Sequence, residues 1–286
     1  MTSSWLQREE HRTMMALGPV DAASPMGGGR WLTADRTALR VHERTDAPGR
    51  AVRALANACD IQLVEGRAGA WAVWFTSPVG CSGRDARGPV SVLRVWSSGQ
   101  TAAEVLPFAD EPMSRVRARL DAGRLVVEGW ASDSSDSATV AVLDLEGAIL
   151  AKQPAEAVVC PLMGCASVTH PRGSLRFAPL GDPTADWQLS GLHGRSIAHA
   201  VRGDRVLVAH RSATNMPLEL SIIDFGRRRV ESVHDQRDRA RSATVDVWRE
   251  AIDTPSFRVA PSDRGFVYAG RDAGGRFVAR EVDCAP

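Results

Sequence analysis

Lysine is nearly missing from this chain: Lys152 is its only one, and the remaining cations are arginines. That bias reads as a codon-composition effect and not as an arginine-dependent function. Tyrosine is reduced to Tyr268. An excess of either charge is missing too, since 35 basic residues stand against 34 acidic ones for a net charge of +1. No global field therefore draws the protein to nucleic acid or to an anionic membrane. No apolar run approaches the ~20 residues that span a bilayer, so no transmembrane segment is expected. A signal peptide is not recognisable, because Arg8, Glu9, Glu10, His11 and Arg12 stand where its apolar core belongs. Two locations stay open on this reading: the cytoplasm, or export with a leader outside this sequence.

The motifs whose mechanics are known are also missing. There is no Gly-x-Ser-x-Gly, no His-Glu-x-x-His, no P-loop and no EF-hand loop. Gly27-Gly28-Gly29 precedes no strand–helix unit and so cradles no phosphate. No cofactor is expected. Cysteines number five, namely Cys59, Cys81, Cys160, Cys165 and Cys284. Cys160 and Cys165 are close enough in sequence to close a small disulfide loop in an oxidising compartment, and free buried thiols are the alternative. The spacing is not Cys-x-x-Cys, which argues against structural zinc.

What the chain does have is short apolar strands between turns. The hydrophobic share of 44% and charged share of 24% are those of a globular protein able to bury a core. Residues 195–233 show the pattern best. Ser196–Val201, Val206–Ala209, Leu218–Ile223 and Arg229–Val233 read as four strands, separated by Gly203-Asp204, a polar loop and Asp224-Phe225-Gly226. β-branched runs of four to six residues between such turns favour strand over helix. Val206–Ala209 is apolar on both faces, which predicts a packed layer on each side.

The pattern recurs. A turn carrying Gly or Asp, commonly with Arg, precedes a strongly apolar strand at Asp35-Arg36, Gly66–Gly69, Asp121–Arg124, Gly203–Arg205 and Ser262–Gly265. Arg124 and Arg205 lie 81 residues apart, and Asp144 and Asp224 lie 80 apart. Both separations fit two units of about 40 residues, a period belonging to repeat folds. Units near 30–57, 59–107, 115–153, 154–191, 195–233 and 256–283 result, the first shortened. Residues 1–28 are expected as a flexible segment, with a short helix through Ala16 and a linker at Ala22–Gly29, ahead of a single domain over 29–286. Ser242–Ile252 is the best internal helix candidate.

On these strand–turn units, over roughly residues 30–286, the chain resembles the four-stranded blades of bacterial β-propellers. The resemblance is architectural, for no WD dipeptide, kelch double glycine or Asp-box names a family. It implies an all-β propeller of about six four-stranded blades, and the runner-up fold is a two-sheet β-sandwich. Closure of the ring predicts that Ala38–Val41 or Trp31–Thr33 pairs with the C-terminal strand, bringing Cys59 near Cys284.

Three residues are candidates for binding: His193, Arg195 and His199, at the entrance and centre of the first strand of the 195–233 unit. An imidazole facing a propeller channel would give a polar, titratable pocket. Exposed loop histidines and one hydrogen-bonded histidine are the plainer alternative. Asp133–Ser137 carries calcium-type oxygens but lacks the ligand alternation, so a solvated loop is expected. Trp71, Trp74, Trp96 and Trp130 fall on strands and are expected in the core. The basic turn Arg227-Arg228-Arg229 has Glu231 and Asp235 nearby and reads as a solvated face. The expected function is a non-catalytic binding or scaffold propeller. Its partner would be an unknown protein or small-molecule ligand, with no nucleic acid, and the protein a monomer. A metal-assisted hydrolase or lactonase of six-bladed type is the competing expectation.

Overall fold

The computed structural model describes residues 20–83, 85–132, 138–169, 174–180, 182–189, 195–211, 219–233, 258–262, 265–271 and 277–283. The helix expected near Ala16, the Ser242–Ile252 candidate, Asp133–Ser137, Cys284 and His193 lie outside these residues. The structure falls into two compact units, Met1–Ala155 and Glu156–Pro286.

The first unit holds three antiparallel sheets whose strands follow one another in chain order. β1 (Ala22–Gly27), β2 (Arg30–Ala34), β3 (Ala38–His42) and β4 (Arg50–Ala54) form the first. β5 (Ala58–Gly66), β6 (Gly69–Thr76) and β7 (Val90–Trp96) form the second. β8 (Arg115–Asp121), β9 (Arg124–Trp130), β10 (Ala138–Leu143) and β11 (Ile149–Ala155) form the third. In the second sheet the fourth-strand position is taken by an irregular stretch. There Val92 and Val105 exchange both backbone hydrogen bonds, and Val95 bridges Thr101.

Period-two alternation explains how these sheets stack. Along β6, Trp71, Val73 and Phe75 point into a cluster with Phe108, Leu125, Val127 and Leu143 from the third sheet and the segment leading to it. Ala70, Ala72 and Trp74 point the other way, against Met26, Leu32, Leu39 and Val41 of the first sheet. One strand thus buries both faces. A two-sheet sandwich leaves one face of each sheet to solvent, so the sandwich alternative is overturned. The first strands also pack in sequence, β1 against β5 and β5 against β8, while β4 lies exposed at the far edge with Arg50 and Arg53.

The second unit repeats the plan. β12 (Ala157–Val159), β13 (Ala166–Thr169), β14 (Leu175–Pro179) and β15 (Trp187–Leu189) make one sheet. β16 (Arg195–Arg202), β17 (Arg205–Arg211), β18 (Glu219–Asp224) and β19 (Arg229–Val233) make the next. β20 (Arg258–Pro261), β21 (Gly265–Arg271) and β22 (Phe277–Asp283) make a three-stranded third. Leu207 and Ala209 of β17 meet Phe266 and Tyr268 of β21, while Val206 and Val208 are buried as well. β16 packs against β12 and β20, so here too first strands adjoin. Meander sheets packed on successive faces through adjoining first strands are β-propeller blades, and the fold is all-β of that class.

Two expectations need correction. Ala22–Gly27 is no linker but strand β1, in which Ser24 and Met26 are buried, so the first unit is not shortened. Its glycines belong to the turn: Gly27, Gly28 and Gly29 have φ of 83°, 62° and 77°, which a tight reversal requires. Trp31–Thr33 and Ala38–Val41 are not available to the C-terminal strand, because β2 and β3 each have two neighbours within their own sheet. Cys59 is bonded to Cys81, with Cα atoms 5.3 Å apart, a pairing the sequence reading did not consider; its expected nearness to Cys284 falls outside the described residues. Cys160 and Cys165 do close the small loop.

Candidate functional site

Hairpin turns and strand ends of the first unit converge at one end of its sheets. The β1–β2 turn, the residue after β3, the β5–β6 turn and the residue after β7 enclose a cleft of about 380 Å³, lined by Gly27, Gly28, Arg30, Glu43, Ala68 and Ser97 among others. Arg30 organises it. Its Nε–H donates to Glu43 and its Nη1–H donates to the Ser97 carbonyl at 2.5 Å. A side chain from the first sheet is thereby fixed to the end of the second. Glu43 stays well exposed, so its ion pair with Arg30 contributes little to stability. Its carboxylate and the guanidinium are instead available as a matched donor and acceptor.

The neighbouring layer is a buried cation between indoles. Arg94, only 2% exposed, donates Nη2–H to the Arg67 carbonyl at 2.7 Å. Its guanidinium lies 4.0 Å from the Trp96 ring centre and 4.9 Å from that of Trp71. Burial pulls the Arg94 pKa below its ordinary value, and the charge of Glu146 opposes that shift. Among the described residues, Arg94 Nε, Arg94 Nη1 and Trp71 Nε1 are buried without a hydrogen-bond partner. Cation–π contact with two rings partly offsets such a burial cost. Of the four tryptophans expected in the core, Trp71 and Trp74 are buried there. Trp96 and Trp130 are half-buried and stack under Arg94 and Arg115.

A second charged cluster is structural. Arg119 donates to Asp121 at 3.1 Å and to Glu128 at 2.7 Å, and both acids are buried. Burial alone would lower the Arg119 pKa, but the two carboxylates outweigh it and raise it. The Arg119–Glu128 contact cross-links β8 to β9, and Asp121 braces Arg119 from its own strand. His42, also buried, is satisfied by Thr33 at 2.9 Å and by the Ala47 carbonyl at 3.0 Å. Among the described residues no three His, Cys, Asp or Glu side chains converge as metal donors.

The sequence candidates lie elsewhere. Arg195 opens β16, and His199 sits half-buried opposite Val208 at its centre. A register shift between Ser196 and Ala198 interrupts the alternation that would place residues 195 and 199 on one face. Sequence reasoning missed Arg30, Glu43 and Ser97. The available signal was the alternation of Ser24-Pro-Met26 before the glycines and of Trp31–Thr33 after them, which marks a hairpin.

No protein-family model matches the chain, and no curated protein does. Solved structures share its fold. A puromycin hydrolase (S511A mutant complexed with PGG) is 15% identical with a TM-score of 0.52, covering 92% of this chain and 43% of its own. The Neurospora crassa Pan2 WD40 domain is 13% identical with a TM-score of 0.41, covering 93% and 79%. A prolyl endopeptidase is 16% identical with a TM-score of 0.49, covering 89% and 39%. Identities this low speak to fold alone, and of the three the hydrolase comparison has the overlap to support it. The chain spans less than half the length of that hydrolase. No helix among the described residues is long and apolar enough to cross a membrane.

Proposed function

We propose that this protein is a non-catalytic binding module of the β-propeller class, taking a small polar ligand or a protein segment. The observation that carries the reading is the cleft at the sheet ends of the first unit. Arg30 is held there by Glu43 at the end of its own sheet and by the Ser97 carbonyl at the end of the next, and the residues named in its lining supply no nucleophile paired with a base. Such a site can recognise a ligand carrying both charge signs but has no evident means of bond cleavage. The binding role expected of His193, Arg195 and His199 belongs to the same proposal, for the second unit.

A thermal-shift screen with amino acids, dipeptides and monosaccharides tests the reading. Ligands that raise the melting temperature should lose that effect in Arg30→Ala and Glu43→Ala, or in His199→Ala if they bind the second unit. Chelator-sensitive hydrolysis of p-nitrophenyl esters or lactones by the purified protein would overturn it in favour of a metal-assisted hydrolase. We propose further that residues 29–286 act as one cooperative, monomeric domain, shown by a single melting transition and a monomer mass in light scattering. Two disulfides fit an oxidising compartment, and thiol titration of protein taken from its native location checks that.

A further inference from the structure

The Cys160–Cys165 loop of the second unit displays Leu162 and Met163 at its tip, 60% and 68% exposed, although Cys160 and Pro161 beside them are buried. The disulfide and two anchors fix the loop. Leu162 N–H donates to the Gly203 carbonyl and Met163 N–H donates to Asp204 Oδ1, each at 3.0 Å. The Met163 sulfur rests against Gly226, where a methyl group on the glycine would come within 3.0 Å of it. Gly226 opens the exposed basic turn Arg227-Arg228-Arg229. Beneath lies a rigid base in which Phe225 packs edge-on against Trp187 and Phe177.

Among the described residues, four acids at this end of the sheets are engaged. Asp204 receives Met163 N–H, Asp182 caps Thr184, Asp186 pairs with Arg176, and Asp224 pairs with Arg227 at 3.5 Å. Arg228 and Arg229 therefore present their charge to solvent beside two protruding apolar side chains.

We propose that this tip is a docking point for an anionic lipid bilayer, with Leu162 and Met163 entering the interface and Arg228 and Arg229 meeting the headgroups. Size and shape favour a bilayer over a protein partner. A specific protein interface takes about 800 Å² from each side, and two side chains on a convex tip supply a small part of that. Shallow insertion of a few apolar side chains beside basic ones suits a charged lipid surface. The net charge of +1 is no obstacle, because the attraction is local and decays within about 10 Å at ordinary salt.

The test is flotation of the full chain with vesicles of phosphatidylcholine alone and with about a third phosphatidylglycerol, a surface whose attraction scales with its charge. Retention is expected on the anionic vesicles only, falling steeply with salt. Arg228→Asn/Arg229→Gln should reduce it roughly thirtyfold, at about one kcal/mol per arginine at such a surface. Leu162→Ser/Met163→Ser should reduce it by roughly fivefold or more, through lost insertion of apolar side chains. Asn suits position 228, whose φ is +52°. Unchanged circular dichroism and melting would show that both variants fold. Equal retention on neutral vesicles, none on anionic ones, or full retention by either folded variant overturns the proposal. So does flotation only with an added acidic protein, which would make the tip a protein-docking site.

Discussion

The two disulfides, one in each unit, serve different ends. Cys59–Cys81 ties the start of β5 to the loop after β6 across 22 residues, and Cys59 belongs to the same core cluster as Ala86 and Met113. Beyond Cys81, the same loop after β6 is woven into the third sheet's approach, because Gly88 and Met113 exchange both backbone hydrogen bonds. Cys160–Cys165 spans five residues and holds a tip whose side chains face solvent. The first bridge constrains chain that covers a core, whereas the second constrains the shape of a surface feature. A crosslink's consequences depend on what lies beneath it as well as on the loop it closes.

Glycines in the two loops give the sharpest contrast. A Cβ on Gly88 would lie 1.7 Å from the Thr76 carbonyl oxygen, so backbone must move. Gly88→Ala should cost about 4 kcal/mol or more, in the range reserved for core disruption. Gly164, in the second loop, has φ of +148° and open space around a built Cβ. Gly164→Ala should cost only its backbone strain, about 1–2 kcal/mol. Urea midpoints of the two variants check this, and similar costs would remove the contrast.

The bridges themselves come next. By loop-closure entropy, Cys59→Ser/Cys81→Ser should lose about 3 kcal/mol and Cys160→Ser/Cys165→Ser about 2. The first pair should change melting with no change in vesicle retention, and the second should do both. A larger melting change in the second pair would mean that its loop carries the fold of that unit.

Much of the architecture was legible in the sequence because its strands bury both faces and so read as unbroken apolar runs. Ser196–Val201, Val206–Ala209, Leu218–Ile223 and Arg229–Val233 reappear as β16 to β19 in a simple meander. Ser174–Ala178 and Trp187–Ser190 reappear within a residue or two as β14 and β15. β1 was illegible for a physical reason: Ala22–Gly27 is rich in small residues and proline, and Met26 alone supplies a large buried side chain. The cleft was illegible for another. Arg30, Glu43 and Ser97 come from separate turns, and no local pattern announces that Arg30 reaches 67 residues along the chain to the Ser97 carbonyl. Candidates drawn from one segment, such as Arg195 and His199, rest on alternation, which a single register shift interrupts.

The last contrast belongs to two turns built alike, Asp35-Arg36-Thr37 in the first unit and Asp182-Pro183-Thr184 in the second. In each, the Asp carboxylate accepts hydrogen bonds from the Thr hydroxyl and the Thr backbone N–H. Asp35 accepts two more, from Ala38 N–H at 2.9 Å and from Arg40 at 3.2 Å. The Thr37 hydroxyl is the main cause holding the Asp35 pKa well below the ordinary carboxylate range, with the Thr37 and Ala38 amides and Arg40 adding to it against partial burial. Asp182 is shifted the same way, chiefly by the Thr184 hydroxyl. A carboxylate whose folded pKa lies below its unfolded value, near 3.9, stabilises the fold fully above about pH 4. That contribution fades as pH falls from there toward the folded value. Asp35→Ala should therefore cost about 2 kcal/mol at pH 7, as expected for hydrogen bonds to a charged group. Asp182→Ala should cost less, because its carboxylate is exposed and has fewer partners. In denaturant titrations at pH 7, 4 and 2, the gap between wild type and Asp35→Ala should stay nearly the same from pH 7 to pH 4 and narrow at pH 2. A gap that stays constant would mean that the turn is held by its backbone geometry and not by the carboxylate charge, and an equal loss in Asp182→Ala would mean that the two extra bonds at Asp35 add nothing.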